Sequence, residues 1–126
     1  MANGCGIDPV ELAERARASD EGEAYVVVER GAELKLGVGV CCAACEKPAY
    51  FIEVVVCMCP EDGMPDLDRM LEKIYFLKSL RIMGFHLRCE DYGVSCDKYT
   101  PVERFREDCE AVVALVRAHF KTVEGG

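Results

Sequence analysis

Five apolar stretches, rich in Val, Ile, Phe and Tyr and bounded by Gly-containing turns, constrain the fold of this chain most strongly. This composition between turn signals predicts β-strands. The predicted strands cover residues 24–29, 33–40, 49–57, 85–91 and 94–99. Because only short turns join the first three, we expect them to form an antiparallel meander.

Two segments carry the signals that begin a helix. Asp8, Pro9 and Glu11 supply an N-cap acceptor, a Pro at the first helical position and a Glu three residues after the cap. They predict a helix over residues 9–18. Thr100 and Pro101 repeat this start. The apolar residues that follow recur at helical spacing on one face: Val102, Phe105, Cys109, Val112, Val113, Val116 and Phe120.

A middle helix is predicted to begin at Asp66 or Leu67 and to end at Gly84, which adopts the left-handed conformation easily. Its first half is expected to bury four apolar side chains: Leu67, Met70, Leu71 and Ile74. Its second half carries another apolar stripe on the opposite face, formed by Phe76, Leu80 and Met83. Either a second layer or a partner must cover that stripe, so it is our candidate for self-association. The cations between Arg69 and Arg88 are interpreted as a solvated face.

The predicted elements follow the order α-β-β-β-α-β-β-α. A chain of 126 residues that is half apolar is large enough to bury one core. We therefore predict a single α+β domain over residues 1–126. It is a two-layer sandwich in which helices cover one face of a largely antiparallel five-stranded sheet.

The nine cysteines limit the kinds of chemistry that the chain can perform. Cys42 and Cys45, with Cys57 and Cys59, have the spacing of a four-cysteine zinc site. A continuous third strand argues against this, because about nine residues at ~3.3 Å each hold the two pairs roughly 30 Å apart. We therefore predict two separate groups. One is the thiol cluster of Cys41, Cys42 and Cys45, which Cys5 would extend.

The second group depends on the path of the chain after the third strand. A middle helix of ~17 residues at about 1.5 Å rise returns the chain along that strand. The fourth strand then runs parallel to the third, and its turn near Tyr92 and Gly93 lies at the end that carries Cys57. A two-residue hairpin centred there sets Cys89 opposite Cys96, within reach of a disulfide, whereas a three-residue loop shifts the pairing by one. The predicted metal ligands are Cys57, Cys59, Cys89 and Cys96. Cys109 is interpreted as a small buried hydrophobe.

Charge and composition exclude several classes of function. A formal charge of −8 disfavours nucleic acid and anionic membranes as partners. The first residues lack the basic and apolar regions of a signal peptide, so we expect a cytoplasmic protein. The chain has no Gln and a single Asn, Asn3, which is typical of thermophilic proteins, where intracellular disulfides do occur.

Three Ser and two Thr offer few hydroxyl nucleophiles, and no Gly-x-Ser-x-Gly motif is present. The sequence therefore favours a noncatalytic, cysteine-rich assembly or interaction subunit with structural cysteines and no cofactor. Its partner would be another protein or a second copy of the chain. The alternative is a small protein that binds zinc or an Fe–S cluster through its cysteines.

Overall fold

The computed structural model describes residues 6–42, 47–58 and 66–124. Its helices and strands follow the predicted order, and a short sixth strand follows the last helix. The elements are α1 Pro9–Ala18, β1 Glu23–Arg30, β2 Leu34–Cys41, β3 Ala49–Cys57, α2 Leu67–Ile82, β4 His86–Glu90, β5 Gly93–Thr100, α3 Val102–His119 and β6 Val123–Glu124. The predicted α+β fold is confirmed.

The strands form one open sheet in the order β4-β5-β3-β2-β1-β6, and every neighbouring pair is antiparallel. The first three strands are the expected meander. The chain then passes through α2 to the far edge, enters β4, and returns as β5 between β4 and β3. As predicted, β4 therefore runs in the same direction as β3, with β5 separating them.

Alternation along the strands defines a helix-covered face and an open face. In β3, Tyr50, Ile52, Val54 and Val56 are buried, while the residues between them are partly exposed. The helices lie on the buried side: α1 packs on β1 and β2, α3 packs on β3 and β5, and α2 packs against α3 and β4. The buried apolar residues of these elements form one cluster.

The register of β2 against β3 is the one that the sequence predicts. Gly37 lies opposite Glu53, and Gly39 lies opposite Phe51. The Phe51 ring covers Gly39 so closely that a Cβ atom at position 39 would lie 2.3 Å from its Cζ atom. The ring therefore takes the space that a side chain on β2 would need.

Only one of the two predicted helix caps is confirmed. The Asp8 carboxylate accepts a hydrogen bond of 3.0 Å from the Val10 amide and caps α1. Thr100 does not cap α3, because Pro101 occupies the cap position and no side chain bonds there. The Thr100 hydroxyl instead donates to Asp108 over 2.5 Å, inside the protein.

The predicted register of the β4–β5 hairpin is wrong. The turn consists of Asp91 and Tyr92, so Cys89 pairs with Val94, and Cys96 pairs with Leu87. Gly93 belongs to β5 rather than to the turn. It has a φ of 152°, and a Cβ atom there would lie 2.1 Å from the Val56 carbonyl oxygen. The close approach of β3 thus explains the glycine.

Candidate functional site

Helix α2 carries apolar side chains on two opposite faces. On the inner face Phe76 and Leu80 are completely buried, and Met83 packs against the core. The monomer's own core therefore covers the stripe that was our candidate for self-association. The prediction that Leu67, Leu71 and Ile74 are buried is wrong, since all three are exposed.

The exposed apolar residues of α2 lie on one side of the helix, interrupted by Lys78, and we call them the outer stripe. Most pairs of these residues are three, four, seven or eight positions apart, which places them on one side of a helix. The stripe consists of Leu67 (71% exposed), Leu71 (50%), Ile74 (42%), Tyr75 (60%) and Ile82 (85%). Along a helix of 16 residues it extends roughly 24 Å. Exposed apolar side chains grouped on one side of a helix are a candidate interaction surface.

Two cations explain why the first half of α2 presents its apolar side to solvent. Arg69 and Lys73 occupy the inner side there, and Lys73 is only 6% exposed. Both bind the carboxylate of Glu33, in the turn between β1 and β2. Arg69 Nη2 lies 2.6 Å from Glu33 Oε2, and Lys73 Nζ lies 3.0 Å from Glu33 Oε1. We call these three residues the Glu33 cluster.

Further contacts tie the Glu33 cluster to other parts of the fold. Lys73 Nζ donates to the Cys57 carbonyl oxygen at the end of β3, over 2.8 Å. Arg69 donates to the His119 carbonyl oxygen over 2.9 Å, and its guanidinium lies 4.8 Å from the centre of the Phe120 ring. Hydrogen bonds from Arg69, reinforced by Lys73, lower the pKa of Glu33 to about 2, against the opposing effect of burial. The carboxylate is therefore ionised at neutral pH.

The charges beside the outer stripe are divided by sign. The exposed acids, Asp68 and Glu72, lie in the first half of α2, whereas the exposed bases, Lys78 and Arg81, lie in the second half. This division agrees with the helix dipole, which favours acids near the first turn and bases near the last. It also gives the surface an acidic end and a basic end. We had interpreted the cations of this helix as one solvated face, and the burial of Lys73 shows that they are not.

The predicted metal ligands lie on both faces of the sheet. Cys57 is on the open face, whereas Cys89 and Cys96 are on the helix-covered face. Both Cys89 and Cys96 are free thiols. Burial is the main reason that the pKa of Cys96 rises to about 12, so its thiol stays protonated. Cys59 lies outside the described residues. Within residues 6–42, 47–58 and 66–124, no group of three or more Cys, His, Asp or Glu is arranged to hold a metal ion.

The second thiol cluster is described only in part. Cys41 and Cys42 are free and half-buried at the end of β2, and Cys42 Sγ lies 4.0 Å from the Ala13 carbonyl oxygen. Cys45 and Cys5 lie outside the described residues. Cys109 is completely buried, as predicted, but it is disulfide-bonded and so does not act only as a hydrophobe.

Comparisons with known proteins assign no family: no family model matches this chain, and no curated protein or solved structure gives a significant match. None of the helices in the described part of the chain is long and apolar enough to cross a membrane.

Proposed function

We propose that this chain is a noncatalytic assembly domain of the cytoplasm and that it forms a two-fold homodimer through the outer stripe of α2. The observation that carries the proposal is the second apolar face of α2, which the core of the monomer does not need. Burying apolar side chains of this size stabilises an association by about 1.5–3 kcal/mol for each one that is fully covered. A stable interface of about 800 Å² per partner would have such a stripe at its centre.

The distribution of charge favours a second copy of the chain as the partner. In a two-fold interface the same surface must complement itself. An antiparallel pair of α2 helices brings the acidic half, with Asp68 and Glu72, against the basic half of the other copy, with Lys78 and Arg81. A parallel pair would bring like charges together. The antiparallel arrangement also offers each Lys78 ammonium, which lies within the stripe, a carboxylate from the opposite helix.

Sedimentation velocity at micromolar concentration tests the proposal. We expect a dimer for the wild-type chain and a monomer for the variant that carries both Leu71→Ser and Ile74→Ser. The matched control carries Val10→Ser and Val102→Ser, which remove two exposed apolar side chains outside α2. This control should remain a dimer. A monomeric wild-type chain, or equal dissociation in both variants, would contradict the proposal.

One further variant tests the orientation of the helices. Arg81→Glu removes a base from the second half of α2 and adds an acid. In an antiparallel dimer Arg81 lies beside the acidic half of the other copy, so the added acid introduces repulsion and the dissociation constant should rise about threefold. In a parallel dimer the same change would reduce repulsion and strengthen association.

Binding of zinc or an Fe–S cluster stays a prediction of the sequence. One of its four predicted ligands, Cys59, lies outside the described residues, as do Cys5 and Cys45 of the other thiol group. Elemental analysis of natively purified protein, together with a thiol count, distinguishes the two functions. Stoichiometric metal would favour the metal-binding alternative.

A further inference from the structure

The open face of the sheet carries a row of three aromatic residues. Tyr25 lies on β1, Phe51 on β3 and Tyr99 on β5, and pairing through Gly39 of β2 places all three at the same level across the sheet. The ring centres of Tyr25 and Phe51 are 6.3 Å apart, and those of Phe51 and Tyr99 are 6.0 Å apart. We call these three residues the aromatic shelf. The helices pack on the other side of the sheet.

Two of the rings lie against β2, because glycines leave room for them. The Phe51 ring covers Gly39, and the Tyr25 ring covers Gly37, where a Cβ atom would collide with the phenol. The planes of these two rings differ by only 23°, so together they form one flat apolar surface. The Tyr99 ring is tilted by 58° from Phe51 and is 68% exposed, so it stands beside that surface. A flat, ring-shaped ligand would contact all three residues.

Charged side chains of both signs surround the aromatic shelf. Within two rows of it on the same face, three are acids and three are bases: Glu23, Glu53 and Asp97, and Arg30, Lys35 and Arg88. Lys35 Nζ lies 5.5 Å from the centre of the Tyr25 ring, and Arg88 Nη2 lies 3.6 Å from Asp97 Oδ2. The formal charges of the six side chains cancel. This balance favours a neutral ligand over a charged one.

Glu53 provides hydrogen-bonding capacity beside the flat surface. Its Oε1 atom accepts a hydrogen bond of 3.1 Å from the Tyr25 hydroxyl, and no other hydrogen bond joins Glu53 to the residues that the structure describes. Burial, and then the neighbouring Glu53 carboxylate, raise the pKa of Tyr25 above its ordinary value, so the phenol stays protonated. The second oxygen of Glu53 is therefore available to a hydroxyl group of a ligand.

We infer that the aromatic shelf binds a neutral carbohydrate, with one sugar ring lying on Tyr25 and Phe51 and in contact with Tyr99. The face of an aromatic ring is electron-rich and attracts the weakly positive C–H bonds on the flat side of a sugar ring. The sugar hydroxyls then project toward the carboxylates and the bases, which accept and donate hydrogen bonds. A row of three rings offers contacts to more than one unit of an oligosaccharide.

Two other ligands fit the site less well. Nucleobases also stack on aromatic residues, but their phosphates need a positively charged groove, which the balanced charges do not provide. An organic cation would be attracted by the aromatic faces, but the ammonium of Lys35 already lies over Tyr25. The inference goes beyond the proposed function and does not rest on it, because α2 lies on the opposite face of the sheet.

NMR titration of ¹⁵N-labelled protein tests the inference. The neutral probes are cellohexaose, maltohexaose and the hexamer of N-acetylglucosamine. The charged probes are the hexamer of glucosamine, which is cationic, and a thymidine hexanucleotide, which is anionic. We expect at least one neutral probe to bind with a dissociation constant of about 1 mM or below. The amides of residues 25, 51 and 99 should shift, while those of α2 should not.

Matched variants identify the side chains that bind. Tyr99→Ala removes the most exposed ring of the aromatic shelf and should weaken binding about tenfold. Glu53→Gln should weaken it about threefold, because a charge-assisted hydrogen bond becomes a neutral one. The control is Tyr75→Ala, which removes a tyrosine of similar exposure from α2 and should leave the affinity unchanged.

The contrary outcomes are equally clear. No saturable shift with any neutral probe at about 10 mM would overturn the inference, and so would tighter binding of either charged probe. Equal effects of Tyr99→Ala and Tyr75→Ala would place the binding site elsewhere. If Tyr99→Ala does not fold, the amides that shift in the wild-type titration decide. Monomeric wild-type protein that still binds sugar would contradict only the homodimer.

Discussion

Helices α2 and α3 are both amphipathic, but they are held to the rest of the protein in different ways. In α3, Phe105, Cys109, Val112 and Val116 are completely buried on a single face. In α2, apolar residues occupy two faces, and the first half directs Arg69 and Lys73 toward the protein. Hydrophobic periodicity is therefore sufficient to orient α3. In α2, burial of Phe76 and Leu80 holds the second half, whereas charge pairing of Arg69 and Lys73 holds the first half.

The largest expected effect comes from neighbouring residues on the two faces of α2. Phe76→Ala should cost about 3–5 kcal/mol in the free energy of unfolding, because it leaves a cavity in the core. Tyr75→Ala should cost less than about 1 kcal/mol, because its ring is exposed. Urea denaturation of both variants measures the difference. The background should be the monomeric chain with Leu71→Ser and Ile74→Ser, since dimerisation would add to apparent stability.

This pair of variants has a clear contrary outcome. Equal losses of stability would mean that α2 lies with both faces equally covered in the monomer. A larger loss for Tyr75→Ala would reverse the assignment of the inner and outer faces. In α3, Val112→Ala and Glu110→Ala provide the matching comparison, since Val112 is buried and Glu110 is partly exposed on the same helix.

Much of the fold was predictable because it follows from local patterns. Turn residues in the sequence mark the observed ends of β3, and the alternation of side chains between the two faces predicted its register with β2. The cap at Asp8 followed from residue types alone. The orientation of α2 was not predictable in this way. Lys73 is a cation in a helix, which normally indicates solvent exposure, and contacts with the distant Glu33 carboxylate and Cys57 carbonyl account for its burial.

The candidate site was predicted only in outline. The sequence showed that α2 has two apolar stripes, but it assigned the wrong one to the core in the first half of the helix. The hairpin error has a similar origin, since Gly93 is a typical turn residue. Here β3 approaches it too closely for any side chain. In both cases a contact between segments far apart in sequence overrides a local signal.

Acid should destabilise the protein by protonating Glu33, which holds the first half of α2. The folded pKa of Glu33 is about 2, below its ordinary value of 4.5. The stabilisation is therefore fully present above about pH 4.5, and it is lost as the pH falls toward 2. Because the Glu33 side chain is 38% exposed, we expect solvent screening to reduce the loss to about 1–2 kcal/mol. Urea denaturation between pH 2 and 5 measures this loss.

The control for the acid effect is Glu33→Gln in the same monomeric background. It should show a weaker dependence of stability on pH over this range, since position 33 no longer takes up a proton. If both proteins lose stability equally, other carboxylates account for the acid effect, and the Glu33 cluster contributes little to holding α2.

The smallest expected effect concerns the ion pairs on the surface of α3. Arg104 lies 3.6 Å from Asp108 and 3.8 Å from Glu107, but its side chain is 63% exposed. Arg104→Ala should therefore change the free energy of unfolding by less than about 0.5 kcal/mol. Asp108 retains the Thr100 hydroxyl as a donor and Lys98 at 3.7 Å. A loss as large as that of Glu33→Gln would show that α3 also depends on charge pairing for its position, and the contrast between the two helices would then fail.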